Sequence, residues 1–431
     1  MDSYSEILNT IYNLRGGMID LRLDRMNRAL ALFDHPEKQF PSFHIAGTNG
    51  KGSTAAMLHR ILAESGYRVA LYTSPHLVSF TERIRVGDEE IVPDEVVALA
   101  EEIRDRTVAA DVPLTFFEFV TVMAFIHFAR RKIDVAVVEV GLGGRLDATN
   151  LVLPLVSLIS TISRDHEAYL GYDLLSIARE KGGIIKQGVP LVCGALPADV
   201  AALLKDIADE HNAPSYFLGG DFTFSLKNED LFDYRGLNWD LVDLDVALRG
   251  KHQKRNAALA LAGLEIAEHD FPVNEAAIRQ GLNTVRWPGR FEIVQDRPAI
   301  VLDGAHNGEG VRALIEELES FRGQRAVRLL FASMEDKDWG LMLERLSEAV
   351  DEIVLTRVNI ERCADPFYLD AHLSGKVPHR AIGNAPAALQ YIMDRADVDD
   401  IILIAGSLYL IGEMRPLVQE IAAGNLFKES S

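Results

Sequence analysis

Short apolar runs alternate along the chain with longer stretches in which apolar residues recur every three or four positions. SFHIAG (42–47), YRVALYTS (67–74), DVAVVEVG (134–141) and LVSLIST (155–161) are compact apolar runs and predict buried strands. LHRILAESG, EVVALAEEIRDR and EFVTVMAFIHFARR carry the three-and-four spacing of a helix with one apolar face. Strands that alternate with helices imply an α/β fold, a parallel sheet covered by helices on both faces. A second series begins near residue 298: AIVLDGAHN, RAVRLLFAS, DEIVLTRV and DIILIAGSLYL as strands, with VRALIEELESF and GLMLERLSEAV as helices between them. Between the two series lies RWPGRFEIV (286–294), where Pro288 and Gly289 interrupt any regular element. The expected division is therefore 1–288 and 289–431, a larger α/β domain followed by a smaller Rossmann-like one. No internal repeat or low-complexity segment interrupts the pattern.

Composition narrows the function classes. The 431 residues are 48% hydrophobic, enough for two cores. The formal charge of −20 argues against a nucleic-acid binder, which needs a basic face, yet leaves room for a small anion held by a few local cations. No apolar run reaches the length of about 18 residues that a membrane span needs, and MDSYSEILNTIYNLRGGMID lacks the features of a signal peptide. Cys193 and Cys363 stand far apart with no metal-like spacing, which fits a reducing cytoplasm.

The chemistry starts at HIAGTNGKGST (44–54). The usual phosphate loop reads GxxxxGK[ST]; here Gly47 precedes Gly50 by only three residues, and Gly52 separates Lys51 from Ser53. The ingredients nevertheless survive: a buried strand, then Gly47, Thr48, Asn49 and Gly50, then a helix opening with Lys51, Gly52, Ser53 and Thr54. Backbone N–H groups at such a turn hold phosphate oxygens, Lys51 can reach the β- and γ-phosphates, and Ser53 or Thr54 can approach a metal.

Other stretches permit two readings each. Glu139 ends an apolar strand in VVEVGLGGRLDATNLV (137–152), where a carboxylate needs a charged partner or a helix to cap. Ser74 lies in a Ser-Pro turn of YTSPHLVSFTERIRV (72–86). His166, in ISRDHEAYLGYDLLSIAREKGGIIK (162–186), reads alone as a solvated loop histidine, and Lys181 of the same stretch as a surface helix lysine. Glu118, in TFFEFVTVMAF (115–125), suits the positive end of a helix. Arg290 reads as a linker residue. Asp303, His306 and Asn307 in VLDGAHNGEGV and Ser407 in GSLYLIGE follow strands at the edge where α/β sheets bind ligands.

Taken together and in chain order, GTNGKGS, SPHL, TFFE, VGLGGRLDATN, the Asn256 stretch GKHQKRNAALALA and DGAHN resemble the Mur ligase superfamily, in its folylpolyglutamate synthase and dihydrofolate synthase branch. The likeness runs from Asp20 to Glu413. It implies ATP-driven amide ligation: the acceptor carboxylate is phosphorylated to an acyl phosphate, and L-glutamate then displaces phosphate as two domains close over the site. The acceptors implied are dihydropteroate and reduced folates, with Mg²⁺ at two sites, no nucleic acid or membrane partner, and a monomeric cytoplasmic enzyme. By the same resemblance Gly47 to Ser53, Asn256, Arg290 and Asp303 serve ATP, and Ser74, Glu139 and His166 serve metal. Histidine is not the ligand that Mg²⁺ chemistry would select, so that role comes from the resemblance alone. Lys181 corresponds to a lysine carried as a carbamate. Asp20, Leu21, Thr115, Phe116, Phe117, Glu118, Leu146, Asp147 and Ala148 correspond to the pterin pocket, and His306 and Ser407 to glutamate binding.

Two departures stand out. Gly308 replaces the usual proline after DGAHN, and Arg22 replaces a glycine in the segment Asp20-Leu21-Arg22-Leu23-Asp24-Arg25-Met26, which bears on the choice of pteridine. Two alternatives remain open from the letters. Another Mur-type ligase acting on a UDP-sugar peptide would share the loop, Glu139 and His166, although only 46 residues precede Gly47. A nucleotide switch or kinase would explain the loop and Glu139 and leave DGAHN without a task.

Overall fold

The computed structural model describes residues 3–14, 23–165, 170–171, 173–228, 230–373, 375 and 377–424. The chain divides into two compact units, Met1–Ala247 with Gln253–Val285, and Leu248–His252 with Arg286–Ser431.

The first unit is built on an eight-stranded sheet. Its strands are β1 (Ser42–Ala46), β2 (Val69–Tyr72), β3 (Ile84–Val86), β4 (Glu89–Glu90), β5 (Val135–Glu139), β6 (Val156–Ile159), β7 (Leu191–Cys193) and β8 (Ser215–Phe217), in the order β4-β3-β2-β5-β1-β6-β7-β8. The six strands from β2 to β8 run parallel, while β3 and β4 fold back antiparallel. Strands β1, β2, β5 and β6 are buried at every position, as continuous apolar runs require. The β4 edge carries two exposed glutamates, whose charge discourages pairing with another chain.

Helices Pro93–Ala109 and Phe116–Arg131 pack Val96, Ile103, Phe125 and Phe128 with Tyr72 and Val138 in one core. Helices Leu174–Gly182 and Ala198–Glu210 pack Ile177, Val200 and Leu204 with Ile159 and Leu191 in another. Each such buried side chain contributes roughly 1.5–3 kcal/mol.

A three-stranded antiparallel sheet, β9 (Thr223–Leu226), β10 (Leu231–Arg235) and β11 (Asp240–Asp245), has no counterpart in the expectation from sequence. Its signal was the period of two in LFDYR, which buries Phe232 and Tyr234 completely. Buried Glu265 anchors it, accepting from Tyr234 Oη at 2.8 Å and from the Trp239 amide at 2.8 Å.

The second unit has six strands, β12 (Glu292–Asp296), β13 (Ala299–Asp303), β14 (Val327–Phe331), β15 (Glu352–Leu355), β16 (His379–Ala381) and β17 (Ile401–Ala405), ordered β12-β13-β17-β14-β15-β16. All pair in parallel except β12 with β13. The expected strand over DIILIAGSLYL stops at Ala405, and Leu408 instead opens helix Leu408–Ala422. The break is steric: Gly406 has φ +105°, and a Cβ there would lie 2.5 Å from the Phe331 ring. The helix expected over 340–350 ends at Leu346.

Cys193 and Cys363 are buried and free. Among the described residues, no helix is long and apolar enough to cross a membrane.

Candidate active site

The HIAGTNGKGST segment leaves β1 at Ala46, turns through four residues and enters helix Lys51–Glu64. Both glycines of the turn are required. Gly47 has φ +145° and a Cβ there would lie 2.0 Å from Ser160 Oγ; Gly50 has φ +87° and its Cβ would lie 2.5 Å from Asn256 Oδ1. The turn is braced by the end of β6. The Thr48 amide donates to Thr161 O at 2.7 Å, the Asn49 amide to Thr161 Oγ1 at 3.1 Å, and Ser160 Oγ to Asn49 O at 2.7 Å. These braces, Ser160, Thr161 and Ser163, were missed from the sequence; the polar run STIS directly after a buried strand was the available signal.

No side chain caps the helix at Gly50, so its first N–H groups point into the turn with the positive end of the macrodipole behind them. Among the described residues, the buried hydroxyls Thr54 Oγ1 and Ser163 Oγ have no hydrogen-bond partner, unusual for buried polar atoms. A cradle shut to any Cβ, an uncapped helix start and orphaned hydroxyls together fit a phosphate-bearing ligand.

Two lysines converge on this turn. Lys51 Nζ donates to Gly47 O at 3.2 Å and Thr48 O at 3.1 Å, and Lys181 Nζ donates to Gly47 O at 2.7 Å. Lys181 is buried, contrary to the surface position read from sequence. Its helix is drawn in by glycines: a Cβ on Gly144 would lie 2.8 Å from the carbonyls of Glu180 and Lys181, and one on Gly183 would lie 2.3 Å from Arg145 Cβ. Burial, and then the charge of Lys51, lowers the Lys181 pKa to about 7, against the opposing pull of Asp165 and Asp147.

Glu139 closes β5 beside β1, and its Oε2 accepts the Ser74 amide at 3.3 Å, which ties it to the Ser-Pro turn. Among the described residues no group of three or more His, Cys, Asp or Glu side chains could hold a metal ion. The donor set implied by resemblance is different in kind: the Ser74 hydroxyl, the Glu139 carboxylate and His166, the last outside the described residues. The two described members are oxygen donors and fit a hard divalent cation.

In the GLGGRLDATN segment, Asp147 is buried and bonded through both oxygens. Its Oδ2 accepts the Leu142 amide at 2.8 Å, and its Oδ1 accepts the Thr149 amide at 3.0 Å and the Thr149 hydroxyl at 2.5 Å. Burial raises its pKa, and these donors oppose the rise. Leu146 is half-buried and Ala148 lies in the core.

The TFFE segment combines local and tertiary roles. Thr115 and Glu118 form a capping box at the start of helix Phe116–Arg131. Glu118 also holds Arg25, with Nη2 to Oε1 at 2.8 Å; the place at the helix start was legible in the sequence, and the pairing with Arg25 was not. Phe116 stacks on Tyr12 at 5.4 Å between centroids. Phe117 packs so closely on Gly141 that a Cβ there would lie 2.4 Å from its ring. Asp20, Leu21 and Arg22 lie outside the described residues. Asn256 stands against Gly50 and donates to Gln253 Oε1 at 3.0 Å.

In the second unit, Asp303 and Ala405 are register partners at the ends of parallel β13 and β17, which sets the 303–308 and 406–408 turns side by side. Asp303 is buried, accepting the Phe291 amide on Oδ2 and the Ala305 amide on Oδ1, both at 2.8 Å. Burial raises its pKa, and Arg290 and His306 pull it down. Arg290 Nη1 reaches Gly289 O at 3.1 Å and passes over Gly304, where a Cβ would lie 2.2 Å from it. Asn307 caps helix Gly308–Arg322 and Ser407 caps helix Leu408–Ala422. His306 Nδ1 is 2.8 Å from Gly304 O.

Residues 45–264 match the family model described as the Mur ligase middle domain, and residues 289–408 the model described as Mur ligase, glutamate ligase domain. The chain belongs to the Mur ligase family. Over 405 residues the ligase is 34% identical to the dihydrofolate synthase/folylpolyglutamate synthase of Bacillus subtilis, with 91% of this chain and 94% of that one covered. It is similar to the solved structure of Escherichia coli FolC in complex with DHPP and ADP, at TM-score 0.89 and 32% identity over 97% of this chain and 98% of that one. The bifunctional folylpolyglutamate synthase/dihydrofolate synthase from Yersinia pestis, complexed with AMPPNP and Mn ion, is 36% identical with TM-score 0.87, covering 97% and 98%. The ligase therefore sits in the folylpolyglutamate and dihydrofolate synthase group of its family.

Proposed function

We propose that this ligase adds L-glutamate, at the expense of ATP, to dihydropteroate and to reduced folates. The observation that carries the reading is the glycine-lysine turn, with its uncapped helix and orphaned hydroxyls, in a chain of which 91% aligns with a synthase named for that activity. Residues 1–288 serve nucleotide, metal and pteroyl acceptor, and residues 289–431 serve glutamate and part of ATP.

An acceptor carboxylate oxygen attacks the γ-phosphorus, the bond to the β,γ-bridging oxygen breaks, and ADP leaves. The glutamate amine then attacks the acyl carbon, the amide forms, phosphate departs and the amine gives up a proton. The first amides of helix Lys51–Glu64 and the Lys51 ammonium hold the triphosphate and stabilise the charge that moves onto its bridging oxygen. Lys51 would leave the carbonyls of Gly47 and Thr48 to do so. Ser74, Glu139 and His166 would hold Mg²⁺ at two sites, which supplies charge neutralisation between the phosphates. Lys181, with its pKa near 7, presents enough neutral amine at physiological pH to take up CO₂ as a carbamate. Phe116, Phe117 and Asp147 would hold the pteroyl acceptor, and His306 and Ser407 the incoming amino acid.

The test is product analysis with purified, monodisperse protein, its mass in solution checked by light scattering for the proposed monomer. ADP and phosphate release should require both glutamate and a pteroyl acid. Turnover of tetrahydrofolate but not dihydropteroate removes the synthase half of the proposal. Turnover with a UDP-sugar peptide, or ATP cleavage indifferent to acceptor, overturns it entirely.

A further inference from the structure

His44 is the polar residue at the centre of β1, which also carries Ser42 at its start. It is completely buried and flanked by Val138 of β5 and Ser157 of β6. Its Nε2 lies 2.8 Å from Thr149 Oγ1, while its Nδ1 is buried with no partner among the described residues. A residue that only filled this strand would do better as valine or leucine, since a buried nitrogen without a partner is unfavourable. The reason for an imidazole must lie with the other nitrogen.

The direction of the bonds identifies that reason. Thr149 has one hydroxyl hydrogen, and it goes to Asp147 Oδ1 at 2.5 Å. The Thr149 oxygen therefore faces His44 as an acceptor, and His44 must be the Nε2–H tautomer. Burial, followed by the charge of Lys186, pushes the His44 pKa down to about 3, so the ring is a neutral donor across the working range. The chain of donors His44 to Thr149 to Asp147 has one end in the sheet and the other at the carboxylate after the glycine-rich turn. With the Leu142 amide on the opposite oxygen at 2.8 Å, it leaves Asp147 one orientation.

We propose that His44 is a positioning residue for the pteroyl acceptor, acting through the Thr149 hydroxyl to fix the Asp147 carboxylate. This rests on the reading of Asp147 as an acceptor contact. Four single variants, Asp147→Asn, His44→Leu, His44→Gln and Thr149→Val, and one double variant separate the two, with KM measured for dihydropteroate, ATP and glutamate in each. Asp147→Asn should raise the acceptor KM about tenfold or more. His44→Leu and Thr149→Val should each raise it roughly three- to tenfold, the range expected for one buried hydrogen bond, with the KM for ATP and glutamate within about twofold of wild type. His44→Gln keeps a donor where Nε2 stood and should restore the acceptor KM. The double variant His44→Leu/Thr149→Val should be no worse than either single one, because both break one chain. Should His44→Leu fail to fold, Thr149→Val, which keeps the shape of the side chain, carries the test. An acceptor KM that rises in Asp147→Asn and stays at the wild-type value in Thr149→Val and His44→Leu overturns the role of His44 alone. An unchanged acceptor KM in Asp147→Asn overturns the reading of Asp147, and the positioning role with it. Equal rises in the acceptor and ATP KM, or failure of glutamine to rescue, also defeat the proposal.

Discussion

The turn after β1 and the turns after β13 and β17 occupy the same kind of place, the carboxyl edge of a parallel sheet, yet they manage their polar groups in opposite ways. In the first unit the helix behind Gly50 has no cap, two buried hydroxyls lack partners, and a buried lysine leans on a loop carbonyl. In the second, Asp303 is bonded to two backbone amides, and Asn307 and Ser407 cap their own helices. Polar groups left without protein partners are unfavourable unless a ligand completes them. Groups already bonded to their own backbone fix a loop whether or not a ligand arrives. The first turn therefore keeps donors in reserve that suit an anion, and the second is organised around itself.

The largest expected effect comes from Lys51→Ala. Removing a preorganised charge on the phosphates should lower kcat/KM for ATP by about 10²–10³-fold, read in a coupled ADP-release assay, while the urea midpoint hardly moves. Asp303→Ala should behave in the reverse sense. It strands the amides of Phe291 and Ala305, at about 1–3 kcal/mol each, so the second unit should unfold at lower urea; an unchanged midpoint would break the comparison.

Lys181 gives a smaller, pH-dependent effect. Its folded pKa of about 7 lies below the ordinary lysine value of 10.5. Between those values the unfolded chain holds a proton that the folded chain has released, so stability rises with pH across that window and the gain is complete above it. Urea midpoints in degassed buffer at pH 7 and pH 10 should diverge for wild type and converge for Lys181→Met. The smallest shift in stability is expected for Thr54→Val, since an unpartnered hydroxyl gives way to a methyl of similar shape. Its ATP KM should nevertheless rise, which distinguishes a ligand-facing hydroxyl from an idle one.

The sequence carried the sheets well because their signal is local. Continuous apolar runs placed β1, β2, β5, β6, β14 and β15 within three residues at each end, and placed β13 correctly at its start but four residues too long at its end. Where a run crossed a turn the reading failed, as at Gly406, whose geometry depends on Phe331 of a neighbouring strand. The small sheet escaped notice because its strands are short and only β10 alternates cleanly, burying Phe232 and Tyr234, while the buried Leu241 and Leu244 of β11 are three positions apart.

The letters by themselves determined the class of fold, the phosphate turn and, through motifs in a fixed order, the family, because each depends on residues adjacent in the chain. Only the folded structure decided that Lys181 is buried against Gly47, that Glu118 is already held by Arg25, and that His44 reaches Asp147 through Thr149. Those facts join residues 134, 93 and 105 positions apart. No local pattern encodes such distances; parallel strands and glycines that admit close backbone approach bring these residues together.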